Sequence, residues 1–194
     1  ALDYYLKEQL KEQLLELISK CRKDVILVTH DRDEAFSLCQ NLIIMEQGHR
    51  VCSGASKDIF ASPGYLAAAR LTGCKNISKA EKLGKHELYA NDWNMKLYLE
   101  QEIPDNIRHL GIRAHYLKAV TKEEGHNLFE PELLSVMENP FEINLIIKNK
   151  AGNYETNDHK IWWKLSKEQW YSELGCKLPD YIEFPSAHIL LLTE

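Results

Sequence analysis

Around Leu71-Thr72-Gly73 the apolar residues change their period, and that change divides the chain. Before it, Leu6, Leu10, Leu14 and Leu17 recur at helical spacing, with Lys and Glu filling the other faces. After it, Met95, Leu97 and Leu99 alternate with Lys96, Tyr98 and Glu100, the period-two pattern of a half-buried strand. Leu134 and Val136 lead into Glu138-Asn139-Pro140-Phe141, and Ile143, Leu145 and Ile147 alternate beyond it, which predicts a hairpin. Leu88 with Ala90, Ile112 with Ala114, and Ile189 to Leu192 add strands, and a short helix is read around Ser166 to Tyr171. Pro63-Gly64 opens an Ala-rich helix, Tyr65 to Leu71, that Gly73 is placed to end. The chain therefore reads as an α/β segment over residues 1–72 and a mostly β domain over 73–194, a small Greek-key barrel.

Within the first part, Val25-Ile26-Leu27-Val28 forms an apolar run that ends in Thr29-His30-Asp31-Arg32-Asp33-Glu34-Ala35. Such a run predicts a strand buried on both faces in a parallel sheet. His30 then falls at its carboxyl end, where open α/β sheets place ligand chemistry. Asp31 is positioned to cap the next helix, with Glu34 completing a capping-box pattern. Asp33 and Glu34 in a first helical turn are explained by the helix dipole, worth about 0.3–1 kcal/mol each, rather than by metal or acid–base work. The Leu6–Leu17 stripe is expected to pack on the sheet carrying Val25 to Val28.

This run resembles the switch-histidine segment of ATP-binding cassette (ABC) ATPases. Ala1-Leu2-Asp3 is similar to the family's D-loop, Asn41 to Val51 to its strand, Gly turn and next strand, and Ser56 to Pro63 to the short helix and Pro closing the ATPase core. Four such elements in order are far more specific than any one alone. The resemblance implies an α/β nucleotide-binding remnant in which His30 contacts a γ-phosphate and Asp3 lies at the nucleotide and dimer interface. The chain has no Gly-x-x-x-x-Gly-Lys-Ser/Thr loop, no Leu-Ser-Gly-Gly-Gln-like signature, and no apolar strand ending in Asp-Glu ahead of Ala1. It thus reads as the carboxyl-terminal part of a longer ATPase, with ATP and Mg²⁺ belonging to the intact parent and no turnover of its own. Its sheet would lack central strands, leaving apolar surface exposed or repaired between molecules.

The second part resembles the accessory, transport-associated OB-like (TOBE-like) β domain of importer ATPases. Thr72-Gly73-Cys74-Lys75-Asn76-Ile77-Ser78 is similar to the family's junction motif, His109 to His115 to its Gly-Ile-Arg strand, and Asn127 to Phe141 to its following hairpin. With Ile161-Trp162-Trp163-Lys164, the junction looks most like that of molybdate importers, although the Ser-Ala-Arg-Asn pattern of small molybdate-binding domains is missing. On one strand, Arg113 and His115 would share a face, and with Lys75 and the backbone near Asn76 they form a candidate tetrahedral-oxyanion site. The competing reading makes Arg113 a surface residue paired with a carboxylate, a common arrangement.

Other residues carry less. None of the eight histidines forms His-x-x-x-His, so no metal site is assigned. Trp162, Trp163 and Trp170 near Lys160, Lys164 and Lys167 resemble a stacking surface. Core packing accounts for them more simply, because neighbours on a strand face opposite ways. Trp93 is read as a turn residue. The net charge of −5 argues against nucleic acid. Five widely spaced cysteines without a Cys-x-x-Cys pair indicate reduced thiols, and no apolar stretch reaches membrane-span length.

The resemblance as a whole implies the ATPase subunit of an importer for molybdate or a related oxyanion. It would be cytoplasmic, peripheral at the inner face of the plasma membrane, paired with a second copy of itself and with transmembrane permease subunits, and open to molybdate or tungstate. The alternatives are a ligand-free structural dimerisation module, or an importer ATPase for sugar, polyamine, sulfate or iron.

Overall fold

The computed structural model describes residues 4–21, 23–121, 125–152 and 159–193, which divide into two compact units meeting at Ser62 and Pro63. In the first unit, helix α1 (Tyr4–Lys20) is followed by α2 (Arg32–Leu38), strands β1 (Asn41–Glu46) and β2 (His49–Ala55), and α3 (Ser56–Ala61). β1 and β2 form an antiparallel hairpin turned through Gln47 and Gly48, both at positive φ (49° and 80°), as a two-residue hairpin loop requires. The ladder shifts between Ile44 and Met45, so Val51 is the extra residue of a bulge. Phe36 of α2 meets Phe60 of α3 with ring centroids 4.8 Å apart.

The run from Val25 to Val28 is not a strand. It has no ladder partner among the described residues, and Ile26 and Val28 are 91% and 93% exposed. Alternation and β-branching favour a strand only where neighbours complete its hydrogen bonds. With no sheet there, the α1 stripe has no such surface to cover, and Leu6, Leu10 and Leu17 are exposed.

The second unit opens with α4 (Leu66–Leu71) and continues through β3 (Asn76–Lys82), β4 (Glu87–Ala90), β5 (Met95–Tyr98), β6 (His109–Ile112), β7 (Lys118–Val120), β8 (Leu128–Phe129), β9 (Pro131–Glu138), β10 (Glu142–Asn149), β11 (Ile161–Ser166), β12 (Tyr181–Glu183) and β13 (Leu190–Leu192). They make one five-stranded sheet, ordered β13-β6-β3-β4-β5, and two three-stranded sheets, β11-β10-β9 and β7-β12-β8. Leu88, Leu97, Leu110, Ile112, Ile143, Leu145, Trp163 and Ile182 from these sheets share one core with Phe184, just beyond β12. The alternation of Met95, Leu97 and Leu99 and the hairpin about Pro140 are both present, with Ile143 facing Glu138 across the turn.

Three expectations change. α4 lies on the β side of the division, ten residues before the period change. Its Ala67, Ala68 and Ala69 are buried, Ala69 packs with Cys74 and Leu192, and Gly64 O accepts from Thr193 N at 2.9 Å. β6 stops at Ile112, and residues 114 and 115 form a turn that Tyr116 N closes onto Arg113 O at 3.0 Å. Trp93 does end a 3₁₀ turn, but its ring is 1% exposed and stands edge-on to Phe184.

The β-rich unit also repeats itself. Arg113-Ala114-His115-Tyr116-Leu117 and Ser186-Ala187-His188-Ile189-Leu190 lie 73 positions apart. The turn of the first, Tyr116 N to Arg113 O, has its counterpart in Ile189 N to Ser186 O at 3.3 Å. The strands after the two turns change places. β13 pairs with β6 through Leu191↔Leu110 and Leu192↔His109. β7 pairs with β12 through Lys118↔Glu183 and Ala119↔Ile182, the same register shifted by the same 73 positions. Each half thus lends its last strand to the other.

Candidate functional site

Thr29, His30 and Asp31 bring together what chemistry the first unit carries. Asp31 Oδ1 accepts from the backbone N–H of Asp33 at 2.8 Å and of Glu34 at 3.1 Å, the N-cap expected of it. The box closes by relay: Thr29 Oγ1 donates to Glu34 Oε2 at 2.7 Å and accepts from Asp31 N at 3.0 Å. Thr29 is the residue that sequence reasoning missed, and its hydroxyl fixes the bend in which His30 sits, exposed to solvent. Asp3 lies outside the described residues.

The four residues of the proposed oxyanion site are placed separately. Asn76 is fully buried, and its amide pairs with the backbone of Trp162 on both sides, Nδ2 donating to O at 2.8 Å and Oδ1 accepting from N at 2.7 Å. Lys75 is exposed, its ammonium 4.3 Å from the centroid of the Trp162 ring, a cation–π contact. Arg113 donates through Nη1 to Thr72 O at 2.7 Å and through Nη2 to Thr72 Oγ1 at 3.2 Å, tying β6 to the end of α4. His115, on the turn and not on a strand, packs against Tyr116 with centroids 4.2 Å apart and planes tilted by 55°. Desolvation lowers its pKa below the usual imidazole value, and the positive field of Arg113, Lys164 and His188 acts in the same sense.

Asn127 repeats the Asn76 device: Oδ1 accepts from Tyr98 N at 2.6 Å, while Nδ2 donates to Tyr98 O and Phe184 O. Trp163 is buried with Nε1 donating to Leu117 O at 3.1 Å, and Trp162 carries Lys75. The tryptophans therefore serve packing and one cation, not a common stacking face. Cys74 is buried, which pushes its thiol up to about 11 and keeps it from acting as a thiolate nucleophile.

An open groove of about 530 Å³ lies between β5, β8, β10 and β12. Its lysines are already paired, Lys96 with Glu87 at 2.8 Å and Lys150 with Glu130 at 3.0 Å. Among the described residues, no three His, Cys, Asp or Glu side chains cluster as metal ligands, and no helix is long and apolar enough to cross a membrane.

No protein-family model matches the chain. Curated relatives do. It is 29% identical over 124 residues to the Fe(3+) ions import ATP-binding protein FbpC of Streptomyces coelicolor, covering 64% of this chain and 35% of that one. It is 35% identical over 125 residues to the spermidine/putrescine import ATP-binding protein PotA of Pasteurella multocida, covering 64% and 33%. Against FbpC of Haemophilus influenzae it is 24% identical over 173 residues, covering 84% and 44%. These relatives are importer ATP-binding proteins. The chain spans 33% to 44% of the length of these curated relatives. A solved structure of the cytoplasmic molybdate-binding protein ModG, with molybdate bound, is similar at 13% identity and a TM-score of 0.45, covering 63% of this chain and 98% of that one.

Proposed function

We propose that this chain is the carboxyl-terminal portion of the ATP-hydrolysing subunit of an ABC importer. The first unit would come from its nucleotide-binding core, and the β-rich unit would be an accessory TOBE-like domain that joins two copies. What supports this most is the similarity to importer ATP-binding proteins over 64–84% of the chain. The capped bend that presents His30 is the local geometry the reading needs.

In that role the His30 imidazole donates to a γ-phosphate and orients the attacking water, which is positional and electrostatic work. Asp3 would shape the composite site between two copies. ATP and Mg²⁺ would be held by a phosphate-binding loop and carboxylates that this chain does not contain, so its own residues complete no nucleotide pocket. The partners would be a second copy and permease subunits, at the inner face of the plasma membrane. For the cargo we take ferric iron or a polyamine, the substrates in the relatives' names. A molybdate cargo is the second reading, favoured by the Thr72–Ser78 and Ile161–Lys164 motifs.

In the complete subunit, His30→Ala should lower ATP turnover by about 10²-fold or more with nucleotide binding retained, and the 194-residue chain alone should show no turnover. Turnover by this chain alone, or full turnover in the variant, overturns the reading. Calorimetric titration of the chain with molybdate and tungstate, against sulfate, phosphate and spermidine, tests the molybdate reading against the polyamine one. Selective molybdate binding weakened by Arg113→Ala favours molybdate, and silence with all five favours a ligand-free dimerisation domain.

A further inference from the structure

Most sheet edges in the β-rich unit are short or already occupied. β7, β8 and β13 are two or three residues long. On β5 the backbone of Tyr98 is taken by the Asn127 amide. On β11 the backbone of Trp162 is taken by Asn76, and Lys164 N donates to Ala114 O. β9 is different. It ends the sheet ordered β11-β10-β9, runs for eight residues, and has no ladder partner on its outer side among the described residues. Between Glu132 and Glu138 it reads Leu133-Leu134-Ser135-Val136-Met137, without a charge. The four apolar residues of that stretch are each 40% to 45% exposed. An uncharged edge of this length is a template for another strand.

The ladder fixes which groups of β9 are open. Asn139 N donates to Glu142 O and Lys150 N to Glu130 O, each at 2.9 Å. By alternation, the β10 residues that bond to β9 are 142, 144, 146, 148 and 150. Pro131, Leu133, Val136 and Glu138 face the residues in between, so they turn their backbone groups outwards. Pro131 has no N–H, which suits it to an edge. Leu134 is the extra residue of a bulge, since Ile146 faces Ser135 and Ile147 faces Leu133.

The outward positions are symmetric about that bulge. Let a second copy pair antiparallel, with the two-fold axis between Leu134 and Ser135. Leu133 then faces Val136 of the copy, and Pro131 faces Glu138. No other register uses all four outward positions. Glu132 falls opposite Met137, so no carboxylate meets another. Both acids are already paired, Glu132 with Lys148 at 3.2 Å and Glu138 with Lys167 at 2.6 Å. The bulge, a device that commonly blocks an edge, here faces the same bulge in the copy.

We propose that β9 is a self-complementary docking edge, to which a second copy of this chain adds its own β9, joining two three-stranded sheets into one of six strands. This rests on the part of the proposed function in which the β-rich unit joins two copies, and it names the surface. An edge of this length buries less than a standard interface, so the pair should dissociate in the micromolar range.

The test is sedimentation equilibrium of the whole chain from about 1 µM to about 500 µM, with amide hydrogen exchange at both ends of that range. The mass should rise towards that of two chains. Exchange at Leu133 and Val136, whose N–H groups are open in the single chain, should slow with it. Ser135 and Met137, already bonded to β10, should change little. Val136→Pro removes an outward donor, lost twice in a symmetric pair, and keeps the β10 ladder. It should raise the dissociation constant about tenfold or more. Val136→Lys leaves the backbone intact, sets a charge on the edge and should act in the same direction. Leu83→Lys, at an exposed apolar residue off this strand, should leave association unchanged. A chain that stays monomeric throughout overturns both the edge and the joining of two copies, and leaves β9 to a strand from a different protein. A dimer that neither Val136 variant weakens, or in which Leu133 and Val136 exchange as fast as in the monomer, overturns the edge alone and places association on another surface.

Discussion

Asn76 and Asn127 each offer an amide to a strand backbone as though the side chain were one more ladder residue. Replacing Asn76 by Ala leaves the Trp162 N–H and C=O without these partners, and each unsatisfied buried group costs about 1–3 kcal/mol. Asn76→Ala should therefore destabilise the β-rich unit by about 2–3 kcal/mol in urea unfolding; a loss below about 0.5 kcal/mol would mean that water replaces the clamp. Asn76 also shows where residue-level reading stops. The sequence places Asn76 beside Lys75 and predicts a polar, anion-facing corner, but the partner that uses it, Trp162, is 86 positions away. Arg113 is the same case, since its acceptor is the Thr72 carbonyl and a backbone oxygen leaves no mark in composition. Asp31 was legible because a cap needs only residues two and three positions on.

Strands with a buried and an open face announce themselves, as β5 and the β9–β10 hairpin do. Val25 to Val28 shows the converse, because four apolar residues specify burial only if something covers them. The exchange of β7 and β13 was less visible, yet Ala-His at 114–115 and again at 187–188 is its trace in the chain. The exchange has a mechanical result. β13 supplies the outer ladder of β6 in the opposite half, and its Leu192 packs with Ala69 and Cys74. Leu192→Asp should then unfold both halves together, since a buried unpaired charge costs several kcal/mol. Unfolding followed by circular dichroism and by tryptophan fluorescence should keep a single shared midpoint. Two separated transitions would show that the halves are independent.

For the whole chain, the division falls between Ser62 and Pro63, because α4 buries its alanines in the β-rich unit. Limited proteolysis should release a stable product beginning near Pro63. A product beginning at Gly73 would lack α4 and Thr72, and with it the carbonyl and hydroxyl that accept from the Arg113 guanidinium. Recovery of that shorter piece as the resistant core would return the boundary to the period change. The change of period itself was legible, because periods of 3.6 and 2 cannot serve one element. The ten-residue displacement was not, since an Ala-rich helix carries little sign of which neighbour it serves.

The exchanged strands bear on how such a chain is made. A ribosome delivers the first half before the second, but that half must wait for β13 to finish its sheet. Folding of the first half during synthesis is then held back until β13 has emerged. Until then Leu110 and Ile112 have no finished wall to lie against, and a nascent chain stalled short of Leu190 is the species that chaperones would hold longest.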